Sequence, residues 1–133
     1  MNTRFLVSVA VTFVLMMAIG FGVHGVLLSQ DYAQLPNLFR SEPDQTKHFP
    51  YMLLAHALTA FAFVWIYLRG REDKPFVAQG VRYGLAIAAL MIVAKFLIYY
   101  AVQPMPGLVV AKQILFDTVG VVVMGIVVAG LNK

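Results

Sequence analysis

Residues 5–23 read FLVSVAVTFVLMMAIGFGV, nineteen positions without a charge. At a rise of about 1.5 Å per residue such a helix is about 28 Å long, close to the roughly 30 Å of a bilayer's hydrocarbon core. A secretory leader has an apolar run of only about 7–15 residues, and no small-x-small cleavage site follows this one. The stretch is therefore expected to be a retained transmembrane helix, extended to residue 28. Three further stretches match it: 49–68, 83–102 and 108–131. The fold expected is an all-α membrane protein, a single four-transmembrane-helix bundle over residues 1–133, with a long outer loop between helices 1 and 2.

Composition agrees. Hydrophobic residues make up 61% of the 133 and charged residues 12%, against about 45–50% and about 25% in soluble domains. A small water-soluble fold leaves too much surface exposed to hide that apolar content, so the expected surrounding is a lipid bilayer. The net charge of +4 resides mostly in connections and chain ends. No polar face mixes basic and aromatic residues, which argues against nucleic-acid binding. Cysteine is absent, and with it disulfides, thiolate catalysis and cysteine metal sites.

The connections differ in kind. Residues 29–48 carry Pro36, Pro43 and mixed charges. Within them Tyr32, Leu35, Leu38 and Phe39 share a helical spacing suited to the membrane surface, although Pro36 opposes one continuous helix. Residues 69–82 hold Arg69, Arg71, Lys74 and Arg82, and residues 103–107 (QPMPG) form a tight turn. Arg4, those four and Lys133 place six basic residues on one side; Arg40, Lys47 and Lys112 place three on the other. Cytoplasmic loops are enriched in Lys and Arg, so both termini are expected in the cytoplasm. The same imbalance argues against a dual-topology antiparallel dimer. Gly84 with Ala88, Gly20 with His24, and Gly125 with Ala129 have the spacing of close helix packing.

Four side chains stand against this apolar background, one per helix: His24, His56, Lys95 and Asp117. By helical rise all lie roughly 6–14 Å below the outer surface. Each falls on a candidate inward face: Phe13, Met17, Gly20, His24; Met52, His56, Thr59, Phe63, Tyr67; Gly84, Ala88, Met91, Lys95, Tyr99; and Gln113, Asp117, Gly120, Met124. Polar groups in membrane helices turn inward because lipid offers no partners. A Lys and an Asp alone near the bilayer centre cost about 2.5–3.5 kcal/mol each, which pairing Lys95 with Asp117 offsets. That pair is open to three readings: a salt bridge fixing helix register, a functional pair, or a Lys95 that instead extends toward the outer surface. Asp117 with a histidine would form the carboxylate–imidazole couple of proton relays, and His24 with His56 could ligate haem or a metal. A rim of Gln113, Tyr99, Lys112, Asp31, Tyr32 and Arg40 borders this layer. No nucleophile, phosphate loop or general-acid pair is recognisable, so no enzyme reaction is indicated.

The stretches His24-Gly25-Val26-Leu27-Leu28 with Asp31-Tyr32, and Tyr99-Tyr100-Ala101-Val102-Gln103-Pro104, together with the order of helices, loops and Pro turn, resemble a family of small bacterial four-helix inner-membrane proteins of unknown function. The resemblance implies a topology and no activity. The functional expectation is an accessory or assembly-type membrane protein, with a membrane-protein partner or a second copy, around an outward-facing polar site. The alternatives are a small proton-coupled transporter using the Lys95, Asp117 and histidine cluster, and haem or metal binding through His24 and His56.

Overall fold

The computed structural model describes residues 2–133. Helix α1 (Thr3–Gly20) opens where the Asn2 side chain accepts from the Phe5 N–H at 2.8 Å, and it continues into a π-helical segment, Phe21–Leu27. A short α2 (Ser29–Ala33) and a 3-10 turn (Pro36–Leu38) lead to α3 (Glu42–Gly70). Helix α4 (Phe76–Ala88) passes through a second π segment, Ala89–Val93, into α5 (Ala94–Val102), and α6 (Gly107–Leu131) closes the chain. Four runs, Thr3–Leu27, Glu42–Gly70, Phe76–Val102 and Gly107–Leu131, are each long and apolar enough to cross a membrane. Among the described residues there is no strand.

The long loop expected over 29–48 is replaced by a shorter, folded connection. Helix α3 begins at Glu42 because Pro43 falls in its first turn, where a missing N–H costs nothing, and Glu42 and Asp44 complement the helix dipole there. Pro50 lies inside α3 without ending it. The expected surface-lying face is also revised. Pro36 breaks the segment, and Tyr32, Leu35 and Leu38 pack against the core, with Phe39 4.9 Å from the Tyr32 ring. Leu28, fully buried, anchors the turn that brings α2 back over the bundle. The second connection is likewise shorter than 69–82. Gln79 folds back to bond the Glu72 N–H and carbonyl, so the helix starts at Phe76.

Helix α1 packs between α3 and α6, and α6 packs on α4 along the most extensive seam. That seam exists because glycines remove side chains from it. A Cβ on Gly80 would stand 2.5 Å from the Ile126 Cα, and one on Gly84 2.6 Å from the Val122 Cα. Such close backbone approach replaces the hydrophobic drive that is lost between helices in lipid. Helices α3 and α4 meet through Tyr83, whose ring lies 4.8 Å from Phe63 and 5.4 Å from Tyr67 and whose hydroxyl donates to the Phe63 carbonyl.

The end of the bundle bearing both termini is knitted by polar contacts. Asn132 donates to Ser8 Oγ at 2.9 Å and to the Val128 carbonyl at 2.8 Å, while Arg71 donates to the Asn132 carbonyl. Ser8 and Thr12 are fully buried, and the Thr12 hydroxyl returns to the Ser8 carbonyl at 2.7 Å. The opposite end is capped by α2, and there α3 and α5 stand apart.

Candidate functional site

The site forms where α1, α2 and α6 converge beneath the α2 cap. Gly120 on α6 eases the approach: a Cβ there would stand 2.6 Å from Ile19 Cγ2, so the Ile19 side chain would have to move. One turn further along each helix, His24 meets Asp117. The imidazole Nε2 lies 3.0 and 3.1 Å from the two carboxylate oxygens. Its Nδ1 lies 2.6 Å from the Tyr32 hydroxyl, which receives a further bond from Gln113 Nε2 at 3.0 Å. The His24 and Asp117 side chains are 35% and 13% exposed, and Gln113 is 4% exposed. Above them Lys112 pairs with Asp31 at 3.1 Å, holding α2 to α6.

Hydrogen-bond arithmetic assigns proton positions for a neutral imidazole. Asp117 can only accept, so His24 Nε2 carries the proton; Nδ1 then accepts from the Tyr32 O–H, and Tyr32 accepts from the Gln113 amide. Every group is used consistently, and burial keeps the phenol protonated. Burial pushes the Tyr32 hydroxyl above its ordinary value near 10, with donation from Gln113 opposing and the Asp117 and Asp31 charges reinforcing. An imidazolium would require the Tyr32 hydroxyl and the Gln113 amide both to rearrange. Nδ1–H would donate to the Tyr32 oxygen, and the Tyr32 O–H would turn to Gln113 Oε1 once that amide rotates. Gln113 Oε1 is a buried acceptor with no protein partner. That rotation would move the Gln113 amide N–H groups to the buried position where Oε1 finds no partner, so the neutral imidazole is the form these contacts satisfy best.

The four ionisable groups singled out in the sequence do not all meet. His24 and Asp117 pair directly. Lys95 does not join them: it is exposed, and its ammonium rests 4.7 Å from the Phe96 ring centroid, while that ring stands 6.4 Å from His24. The expected Lys95–Asp117 ion pair is thus replaced by His24–Asp117, and of the three readings of Lys95 the outward-extended one fits the geometry. The cause is the π segment Ala89–Val93. A wide π turn takes up the drift of four-residue steps on an α-helix, so Gly84, Ala88, Ile92 and Phe96 form the buried face. Met91, Lys95 and Tyr99, expected inside, are displaced to an exposed one.

His56 is partly exposed on α3. Its Nδ1 bonds the Met52 carbonyl at 2.7 Å, and its Nε2 lies 3.9 Å from where a Gly20 Cβ would stand, one turn below His24. No hydrogen bond joins it to the His24–Asp117 pair. Ligation of haem or a metal by His24 and His56 would require His24 to surrender Tyr32 or Asp117, because both its nitrogens are engaged. Among the described residues no group of three or more His, Asp or Glu is arranged around a common point. Of the rim, Gln113, Tyr32, Lys112 and Asp31 belong to the site or its latch. Tyr99 is exposed beside Phe96, and Arg40 pairs with Asp44 at 2.9 Å at the start of α3.

Gln113 and Tyr32, read from sequence as rim, are members of the buried chain itself. The signal for Gln113 was its spacing, one turn from Asp117. Tyr32 had no local signal, since its role depends on how α2 folds back. No protein-family model, curated protein or solved structure matches the chain.

Proposed function

We propose that the chain is a multi-pass membrane protein with both termini cytoplasmic, acting as a non-enzymatic accessory protein around an outward-facing site that holds a proton at His24 and Asp117. The observation that carries this reading is the unbroken series Gln113, Tyr32, His24, Asp117, assembled from three helices and covered by the Asp31–Lys112 latch. Groups bearing on its protonation are Tyr32 and Asp31 from α2, Gln113, Asp117 and Lys112 from α6, Lys95 from α5 beyond Phe96, and His56 from α3. The glycine seam, the Tyr83 contact and the Ser8–Asn132 knot close the cytoplasmic half, which favours one-sided binding over conduction through a single chain. The six-to-three distribution of basic residues supports the orientation, and the family resemblance supports a bacterial inner membrane.

Because cysteine is absent, single cysteines report cleanly on sidedness. Asn37→Cys should react with a membrane-impermeant thiol reagent from outside, and Asp73→Cys only after permeabilisation. The reverse pattern would refute the orientation. Loss of pH response of the His24 ring signals in the reconstituted protein would refute the proton site.

A second reading, a proton-coupled carrier, draws on the two π segments, Phe21–Leu27 and Ala89–Val93, which border the site and interrupt regular helix where bending is easiest. It requires Asp117→Asn to abolish substrate uptake while folded protein persists, and unchanged uptake would remove the pair from such a mechanism.

A further inference from the structure

The ring of four helices is not closed on every side. Helices α3 and α4 touch at Tyr83, but toward the outer end they part and leave a lateral cleft of about 300 Å³. One wall carries Leu58, Thr59 and Ala62 of α3; the other carries Ile87, Leu90 and Met91. The π segment places Ile87, Met91 and Lys95 on one stripe, each preceding by one residue the buried Ala88, Ile92 and Phe96. Lys95 therefore continues the α4–α5 wall one turn toward the outer surface. Its ammonium rests on the Phe96 ring, and no acid of the described residues pairs with it.

We propose that this cleft binds an anionic phospholipid of the outer leaflet, one acyl chain lying between α3 and α4–α5 and the acidic headgroup drawn to Lys95. Three observations converge on that occupant. The cleft walls are apolar apart from Thr59. The cleft opens sideways between helices that, on the membrane reading on which this inference rests, stand in lipid. Lys95, one turn beyond Met91 on that wall, lacks a counter-charge among the described residues, which a zwitterionic lipid supplies poorly and an anionic one supplies outright. Lysine stems extend toward the interface, so an ammonium set about seven residues below the end of α5 can meet a phosphate from beneath.

The test is native mass spectrometry of the full chain released from bilayers holding equal phosphatidylglycerol and phosphatidylcholine. The expected result is one retained phosphatidylglycerol per chain, in about tenfold preference to phosphatidylcholine, a difference of about 1.4 kcal/mol. Lys95→Gln should abolish the preference, Lys95→Arg should keep it, and Ala62→Trp, which fills the cleft, should remove retention. Lys112→Gln should leave it unchanged. Equal retention of both lipids by the wild-type chain would overturn the proposal while leaving the membrane reading intact. So would retention of oleate but not phosphatidylglycerol when the fatty acid is supplied, or a two-chain species that needs Lys95.

Discussion

The imidazole of His24 and the carboxylate of Asp117 lie 3.0 Å apart although 93 residues separate them in sequence. Hydrogen bonds to charged groups contribute about 1.5–3 kcal/mol, and the partial exposure of His24 reduces that figure. Asp117→Asn should therefore destabilise the fold by about 1 kcal/mol, and Asp117→Ala, which also empties space, by about 2 kcal/mol. Reversible unfolding of detergent-solubilised protein in dodecyl sulfate measures both. No change in either variant would mean the pair does not form.

Gly84 faces α6 backbone rather than a side chain that could swing away. Gly84→Leu should cost about 3 kcal/mol by forcing α4 from α6, and Gly22→Leu, at a position open around its Cα, should cost far less. The same unfolding assay compares them, and equal losses would dissolve the argument for the seam.

Tyr32 links stability to alkaline pH. Its folded-state value is raised, so its contribution is fully present below the unfolded phenol's value near 10 and is lost as pH rises through the higher folded value. Wild-type protein should lose stability in that alkaline window, with tyrosinate absorbance rising alongside. Tyr32→Phe should flatten this part of the profile. An unchanged profile in the variant would show that the Tyr32 hydroxyl is not buried between His24 and Gln113.

The knot at the end bearing both termini gives a coupled pair. Ser8→Ala should cost about 1 kcal/mol by losing one buried hydrogen bond, and Asn132→Ala more, because its amide also donates to the Val128 carbonyl. The double variant should lose less than both together, because the two share the 2.9 Å contact. Strict additivity would place Asn132 elsewhere.

The four helices were legible because long apolar stretches, nineteen uncharged residues in the first and at most two charges in any other, admit few structures other than a membrane-length helix. Their ends were less so. Proline was read at 43 as a loop residue, whereas in a first helical turn it is a favoured one. Asp117 and His24 were identifiable as polar residues in apolar helices, but their pairing was not, since a period of 3.6 residues predicts Lys95 inside. The two π segments break that period, and nothing in ALMIV or FGVHGVL announces them. Tyr32 was placed by the tertiary fold of α2, where burial of Leu28, Leu35 and Leu38 overrode the tendency of a polar, proline-bearing stretch to lie on the surface. Ser8 and Asn132 escaped notice because each reads alone as an ordinary helix or end residue.

The central claim is that His24 is held at both ring nitrogens by partners on different helices, beneath α2. Ring-nitrogen NMR of the bilayer-reconstituted protein, with His24 assigned by His24→Gln, addresses it directly. Tyr32→Phe should move chiefly the Nδ1 resonance and Asp117→Asn chiefly the Nε2 resonance. A His24 ring whose signals are indifferent to both substitutions would contradict it.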